Sequence, residues 1–142
     1  MKRLSLVMVI TALTLAACGG AQPKPGATFT GPIEIGTDKA SSATLSFTVS
    51  EDGIMITEVS VSLTEVKCDG MSSGMLMLRS AGDFDLSGSN LNISPSNIGE
   101  IKGRFTSPTE ASGTVKLSLK IDVLGSTFVC DLGTWNWHAE AP

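Results

Sequence analysis

Apolar and polar residues alternate with a period of two over most of the chain after residue 28. The clearest segments are Ala43–Val49 and Val115–Val123, where apolar residues at odd positions alternate with Ser, Thr, Lys and Asp. This alternation is typical of strands that bury one face. No window shows the period of 3.6 that marks an amphipathic helix. The pattern therefore predicts an all-β chain.

Turn residues and changes of phase divide this pattern into short strands. Asp52-Gly53 and Asp69-Gly70 are dipeptides that supply the positive φ angles of hairpin turns. The apolar parity changes near Thr57-Glu58 and again at Gly133, and a change of parity within a strand predicts a β-bulge. Met71–Leu78 is ambiguous, because apolar side chains occupy both parities there.

About eight or nine strands separated by frequent turns favour an antiparallel β-sandwich, either immunoglobulin-like or jelly-roll-like. A closed β-barrel is the alternative, since both architectures have strands with one buried face. Residues 28–142 are enough for one domain with one hydrophobic core.

The first 17 residues have a different composition. Lys2 and Arg3 are followed by a mostly apolar segment from Leu4 to Ala17, which is too short to span a bilayer and is typical of a signal peptide. The ending Leu15-Ala16-Ala17-Cys18 resembles the lipobox of bacterial lipoproteins. That resemblance implies cleavage before Cys18 and a diacylglyceryl group on its thiol. The alternative is an ordinary signal peptide that is cut elsewhere.

A lipidated Cys18 would make the membrane the first partner of this protein. Residues 18–27 contain two prolines and several glycines, so we expect a short flexible tether. The expected location is the bacterial cell envelope, at the outer membrane or the outer face of the cytoplasmic membrane.

The net charge of the chain restricts the classes of partner that it can bind. Removing residues 1–17 takes away Lys2 and Arg3 and leaves 8 basic and 14 acidic residues, a net charge of −6. Nucleic acid repels such a surface, so we expect no nucleic-acid partner. No motif indicates a cofactor. An unidentified protein or envelope polymer is the expected partner class.

Cys68 and Cys130 are the two cysteines that remain besides Cys18. In an exported chain such a pair is expected to form a disulfide, and two free buried thiols are the alternative. A structural zinc site is excluded because His138 is the only histidine.

Several segments together resemble a family of bacterial secreted domains. They are Phe47–Gly53, Cys68, Gly103–Thr114, Cys130 and Trp135-Asn136-Trp137. The resemblance covers about residues 29–139 and implies a β-sandwich with a cysteine bridge. It implies no activity and no binding site.

Two groups of residues are candidate ligand sites. Trp135 and Trp137 share one face of the last strand, where exposed indoles could stack on sugar rings as in a carbohydrate-binding module, although core packing is the alternative. Met75 and Met77 could bind Cu(I) through their thioethers, with His138 as a third ligand; the alternative is that the methionines fill gaps in the core.

Catalytic residues are scarce in the sequence. A Ser-His-Asp triad would have to use His138, and no Gly-x-Ser-x-Gly motif is present. We therefore expect no enzymatic activity. The sequence predicts a lipid-anchored binding or structural module of the cell envelope.

Overall fold

The computed structural model describes residues 20–68 and 71–142. These residues form eight strands and no helix. The strands are β1 (Thr28–Pro32), β2 (Ser42–Val49), β3 (Met55–Cys68), β4 (Met71–Asp85), β5 (Asn90–Ile93), β6 (Gly99–Ser107), β7 (Glu110–Val123) and β8 (Ser126–Glu140).

All eight strands belong to one antiparallel sheet with the order β4-β3-β2-β1-β8-β7-β6-β5. Strands that are consecutive in the chain are neighbours in the sheet, and β1 lies beside β8. The exception is the pair β4 and β5, which form the two edges although a short turn connects them. The sheet is therefore a cyclic meander that is open between β4 and β5.

The prediction of an all-β antiparallel fold is confirmed. The more specific architectures, a two-sheet sandwich and a closed barrel, are not confirmed, because hydrogen bonds join the strands in a single curled sheet. Both phase changes correspond to bulges. The register shifts between Ile56 and Glu58 in β3 and opposite Gly133 in β8, and Gly133 has a positive φ of 86°.

Curling of the sheet buries its apolar face. The strands β1 and β6 are separated by β8 and β7, so a flat sheet would place them about 14 Å apart. The ring centroids of Phe29 and Phe105, on these strands, are 5.2 Å apart in an edge-on contact. Phe47 stacks on Phe29, and Trp137 contacts Phe47. This aromatic cluster joins the two halves of the sheet.

Gly103 makes room for Trp137, and the facing Gly113 allows β6 to approach closely. Gly103 and Gly113 are opposite each other in β6 and β7, and Gly113 is opposite Trp137 in β8. A β-carbon on Gly103 would lie 2.5 Å from Cζ2 of Trp137. The indole Nε1 donates a hydrogen bond of 3.1 Å to the carbonyl of Thr114, so the ring is buried with its polar atom satisfied.

The two ends of the sheet differ. We call the end with the β2–β3, β4–β5 and β6–β7 turns the tether end, because residues 20–27 run along it. Ala21 N–H donates to Phe105 O at 3.0 Å, Lys24 N–H to Pro108 O at 2.8 Å, and Gly26 N–H to Ser50 O at 3.0 Å. The segment is thus bound to the domain, which differs from the flexible tether expected from its composition. The far end carries the β1–β2, β5–β6 and β7–β8 connections.

Gly103→Ala tests the packing of the Trp137 indole ring against Gly103. We expect a loss of about 1–3 kcal/mol in the free energy of unfolding, because the added methyl overlaps Trp137 and the Ser112 carbonyl. Gly74→Ala is the control: no atom lies within 4 Å of the position that its β-carbon would take, so stability should stay the same or rise slightly. Urea unfolding measures both, and equal effects would contradict this packing.

Candidate functional site

The hairpin of β7 and β8 projects from the far end. Strand β6 begins at Gly99, opposite Leu117, and the β5–β6 loop adds hydrogen bonds only as far as Lys120, whose N–H donates to Asn97 O. Residues 121–128 pair only with each other, and Val129 pairs with Lys120. We call residues 121–129 the hairpin tip. Its length follows from β7 and β8, which have 14 and 15 residues, whereas β6 has nine.

A disulfide fixes the base of this hairpin. Cys130 in β8 is bonded to Cys68 at the end of β3, with their Cα atoms 5.7 Å apart. The predicted pairing is therefore confirmed, as is the position of Cys130 on the buried face. Beside the bridge lies a cleft of about 220 Å³ lined by Lys39, Lys67, Val129 and Asp131.

The hairpin tip exposes large apolar side chains. Leu124 is fully exposed, and Val123, Phe128 and Val129 each keep between 41% and 64% of their surface in solvent. Phe128 is opposite Ile121 and so lies on one face of the hairpin, whereas the next residue, Val129, lies on the other. The tip is therefore apolar on the face of Val123 and Phe128, whereas on the other face Val129 lies beside Asp122 and Thr127. Full burial of one such side chain is worth about 1.5–3 kcal/mol, so a partner that covered the tip would gain favourable free energy over the exposed state.

The turn at the tip contains an unfavourable residue. Leu124 and Gly125 form a two-residue loop between Val123 and Ser126, and both have positive φ, 49° and 80°. This is the backbone of a type I′ turn, which prefers Asn, Asp or Gly at the first position. A leucine there costs roughly 1–2 kcal/mol. Glu65 in β3 also has a positive φ, but Leu124 combines this conformation with full exposure of an apolar side chain, which makes the tip a candidate contact surface.

The two tryptophans do not form an exposed platform. They share the inner face of β8, as predicted, but Trp137 is 2% exposed and belongs to the core. Trp135 is half-buried, and its Nε1 donates to Leu132 O at 2.7 Å. The assignment of Trp137 to ligand binding is therefore wrong: the curl of the sheet covers it, and the alternative of core packing holds.

The proposed copper ligands do not meet. Met75 and Met77 are exposed on the outer face of β4, so they do not fill gaps in the core. His138 is on β8, where its Nε2 lies 3.1 Å from Oε1 of Glu140. Four strand intervals separate β4 from β8, about 19 Å along the sheet. His138 therefore cannot complete a site with these methionines. Within the described ranges, no cluster of three or more His, Cys, Asp and Glu residues could hold a metal ion.

Two exposed carboxyl groups at other places have altered acidity. The Ser50 hydroxyl and the Ile54 N–H hydrogen-bond to Asp52 and lower its pKa, which stabilises the β2–β3 turn. A hydrogen bond from Lys102, at 2.7 Å, lowers the pKa of Glu100. Both groups are therefore ionised at neutral pH, and both act in local structure rather than at the hairpin tip.

The predicted lipid site, Cys18, lies outside the described residues. The part of the chain that the structure describes contains no helix able to cross a membrane. Comparisons with protein families, curated proteins and solved structures find no match. The resemblances to bacterial lipoproteins and to secreted domains therefore stay predictions.

Sequence reasoning missed the hairpin tip. The alternation placed Val123 and Phe128 on the inner face of their strands, which is correct, but no other strand covers that face at the tip among the residues described. The available signal was Leu124-Gly125 between two strongly patterned strands, where Asn-Gly would be usual.

Leu124→Asn tests whether the turn is strained. Because asparagine adopts positive φ more easily, we expect the free energy of unfolding to rise by about 1 kcal/mol. Thermal or urea unfolding measures the change. Gly125→Ala is the opposing control and should destabilise the protein, since it places a β-carbon at a φ of 80°. A stability loss with Leu124→Asn would contradict the assignment of strain.

Replacing both cysteines, Cys68→Ser with Cys130→Ser, tests the bridge. The cysteines are 62 residues apart, and we expect the variant to lose about 2–4 kcal/mol of stability because its unfolded chain is less restricted. Dithiothreitol should lower the stability of the wild type to the level of the variant and leave the variant unchanged. Equal stability of the oxidised wild type and the variant would show that the bridge is not stabilising.

Proposed function

We propose that this protein is a lipid-anchored, non-catalytic binding module of the bacterial cell envelope, which contacts a protein or envelope polymer through the hairpin tip. The single observation that supports the contact surface is the exposed apolar tip with Leu124 in a strained conformation. The lipobox-like sequence ending at Cys18 supports the anchor.

The positions of the tip and the chain start fit this function. Gly20, two residues after Cys18, lies beside Ser89 and Phe105 at the tether end. The tip is at the other end of β7, a strand of 14 residues, so about 45 Å separate the two. An anchor at Cys18 would hold the tether end near the bilayer and leave the tip able to contact a partner.

The open meander gives the hairpin tip a rigid support. We propose that the fold is an eight-stranded barrel left open between β4 and β5. The cyclic strand order and the shared aromatic core support this description.

The disulfide joins β8 to β3 and holds the base of the hairpin in place. A hairpin that is already ordered loses less conformational entropy when it binds a partner.

Cys18→Ser tests the anchor. In an exporting bacterial host, we expect the wild-type chain to fractionate with membranes and to carry a diacylglyceryl group on Cys18, detected by mass spectrometry. The variant should lose both properties because it lacks the thiol that accepts the lipid. Lys24→Ser is a matched control and should behave as the wild type. If the wild-type protein carries no lipid, the proposed anchor is wrong, and the proposed contact at the hairpin tip is unaffected.

A photo-crosslinking residue at Leu124 tests the contact. We expect it to give a discrete adduct with an envelope component in cells, whereas the same residue at Thr48, on the outer face of β2, should not. Phe128→Ser with Val129→Ser should weaken the adduct by removing apolar contact area while the folded state persists. Equal adducts from positions 124 and 48 would count against a contact at the tip.

A further inference from the structure

Strand β4 is a long edge whose first half, residues 71–78, lacks the usual protection, whereas the rest contains a bulge opposite Thr57 and three charged residues. It has 15 residues, and β3 is its only neighbour among the described strands. Natural edge strands are blunted by lysine, proline, bulges or short length. Residues 71–78 contain no charge and no proline. On their outer face Met75 and Met77 are 70% and 55% exposed.

The outward backbone groups of β4 follow from the hydrogen bonds of its neighbours. Ser41 N–H donates to Thr64 O, so between the bulge near Thr57 and the positive φ of Glu65, even residues of β3 face β2 and odd residues face β4. Val61 is opposite Leu78, so along this stretch the even residues of β4 face β3, and Met75, Met77 and Arg79 face the open edge. Asn97 agrees with this, since its Nδ2 donates to the outward carbonyl of Arg79 at 2.9 Å.

Asn97 also limits the open edge. It blocks approach at Arg79, so the free part of β4 lies between that residue and the far end. Within it, the N–H and C=O groups of Met75 and Met77 pair with no described strand, although the Met75 carbonyl accepts a hydrogen bond of 3.4 Å from the Ser73 hydroxyl, which a partner strand would replace. Such a row is satisfied by another extended backbone, which restricts the occupant to a β-strand.

We propose that a second copy of this chain pairs with the edge, with the two β4 strands antiparallel about a two-fold axis at Leu76. In this register Met75 of each copy lies opposite Met77 of the other, and all four residues point their backbone groups across the junction. The four exposed methionines then cover one another, and Leu76 faces Leu76. A symmetric contact of this kind closes at two copies.

A second copy fits this edge better than a charged partner does. The free segment is uncharged, so it offers no ion pair to guide a different strand, whereas its own apolar outer positions match in the two-fold register. Pairing in this register extends over residues 74–78 and stops before the nearest charge, Arg79, because Asn97 occupies the place that Ser73 of the other copy would take. The contact therefore brings no like charges together, despite the acidic surface.

Paired charges at the two methionines test both the dimer and its register. The protein used is residues 20–142, which contain the whole described core and lack the lipid site. Sedimentation equilibrium should show a monomer–dimer equilibrium for the wild type. Met75→Lys with Met77→Lys places lysines opposite lysines and should weaken association by about ten-fold or more. Met75→Glu with Met77→Lys places Glu opposite Lys and should retain a dimer that weakens with salt.

Both variants change the same exposed side chains, so thermal unfolding should show similar melting temperatures for the two. A proline pair tests the backbone contact. Met77→Pro removes an outward N–H and should abolish dimerisation, while Asn92→Pro, on the opposite edge at β5, should not. The proposal is overturned if the wild type is monomeric at every concentration, as it would be if this edge served a different protein. It is also overturned if the two charge variants associate equally.

Discussion

A single sheet with one apolar face has to cover that face with itself, and this constraint shapes the whole domain. The described residues contain no helix or second sheet that could cover it. Curling brings Phe105 on β6 against Phe29 on β1, across two intervening strands. Apart from the hairpin tip, the curl encloses inner-face side chains on both halves of the sheet, from Leu45 and Val61 to Val115 and Leu119. The bulges near Thr57 and Gly133 increase the local twist and assist this curvature.

The period-two alternation predicted the strands and their buried faces well, because side-chain direction in a strand depends only on local parity. It predicted both bulges for the same reason. It did not predict which strands are neighbours, so the choice between sandwich, barrel and open meander was left to long-range pairing. Trp137 shows the limit for the site. Its parity was correct, but whether that face is solvent or core depends on the fold, in which Gly103, distant in the chain, leaves space for the indole.

The hairpin tip differs from Trp137 in the opposite direction, because its pattern is that of a buried strand and its side chains are exposed. Its residues have the pattern of core strands, and two of them, Val123 and Phe128, are on the apolar face of the sheet. Exposure results from a difference in strand length that only the assembled sheet reveals. The conflict at Leu124 is local, however, and was present in the sequence as a leucine in front of a hairpin glycine. Conflicts between local preference and the global fold tend to mark functional positions, and this conflict is one reason for proposing a contact at the tip.

The contact between the segment around Lys24 and the last residues of the domain has a practical consequence. Lys24 Nζ donates a hydrogen bond of 3.3 Å to the Pro142 carbonyl, and Ala141 N–H donates to Thr109 O, so the last residues lie beside the segment that follows Cys18. A reporter domain fused after Pro142 would leave from the same end of the sheet as the tether. It would leave the hairpin tip and the disulfide unobstructed at the opposite end. The carboxyl terminus is therefore the side on which this domain can be labelled, immobilised or joined to another protein.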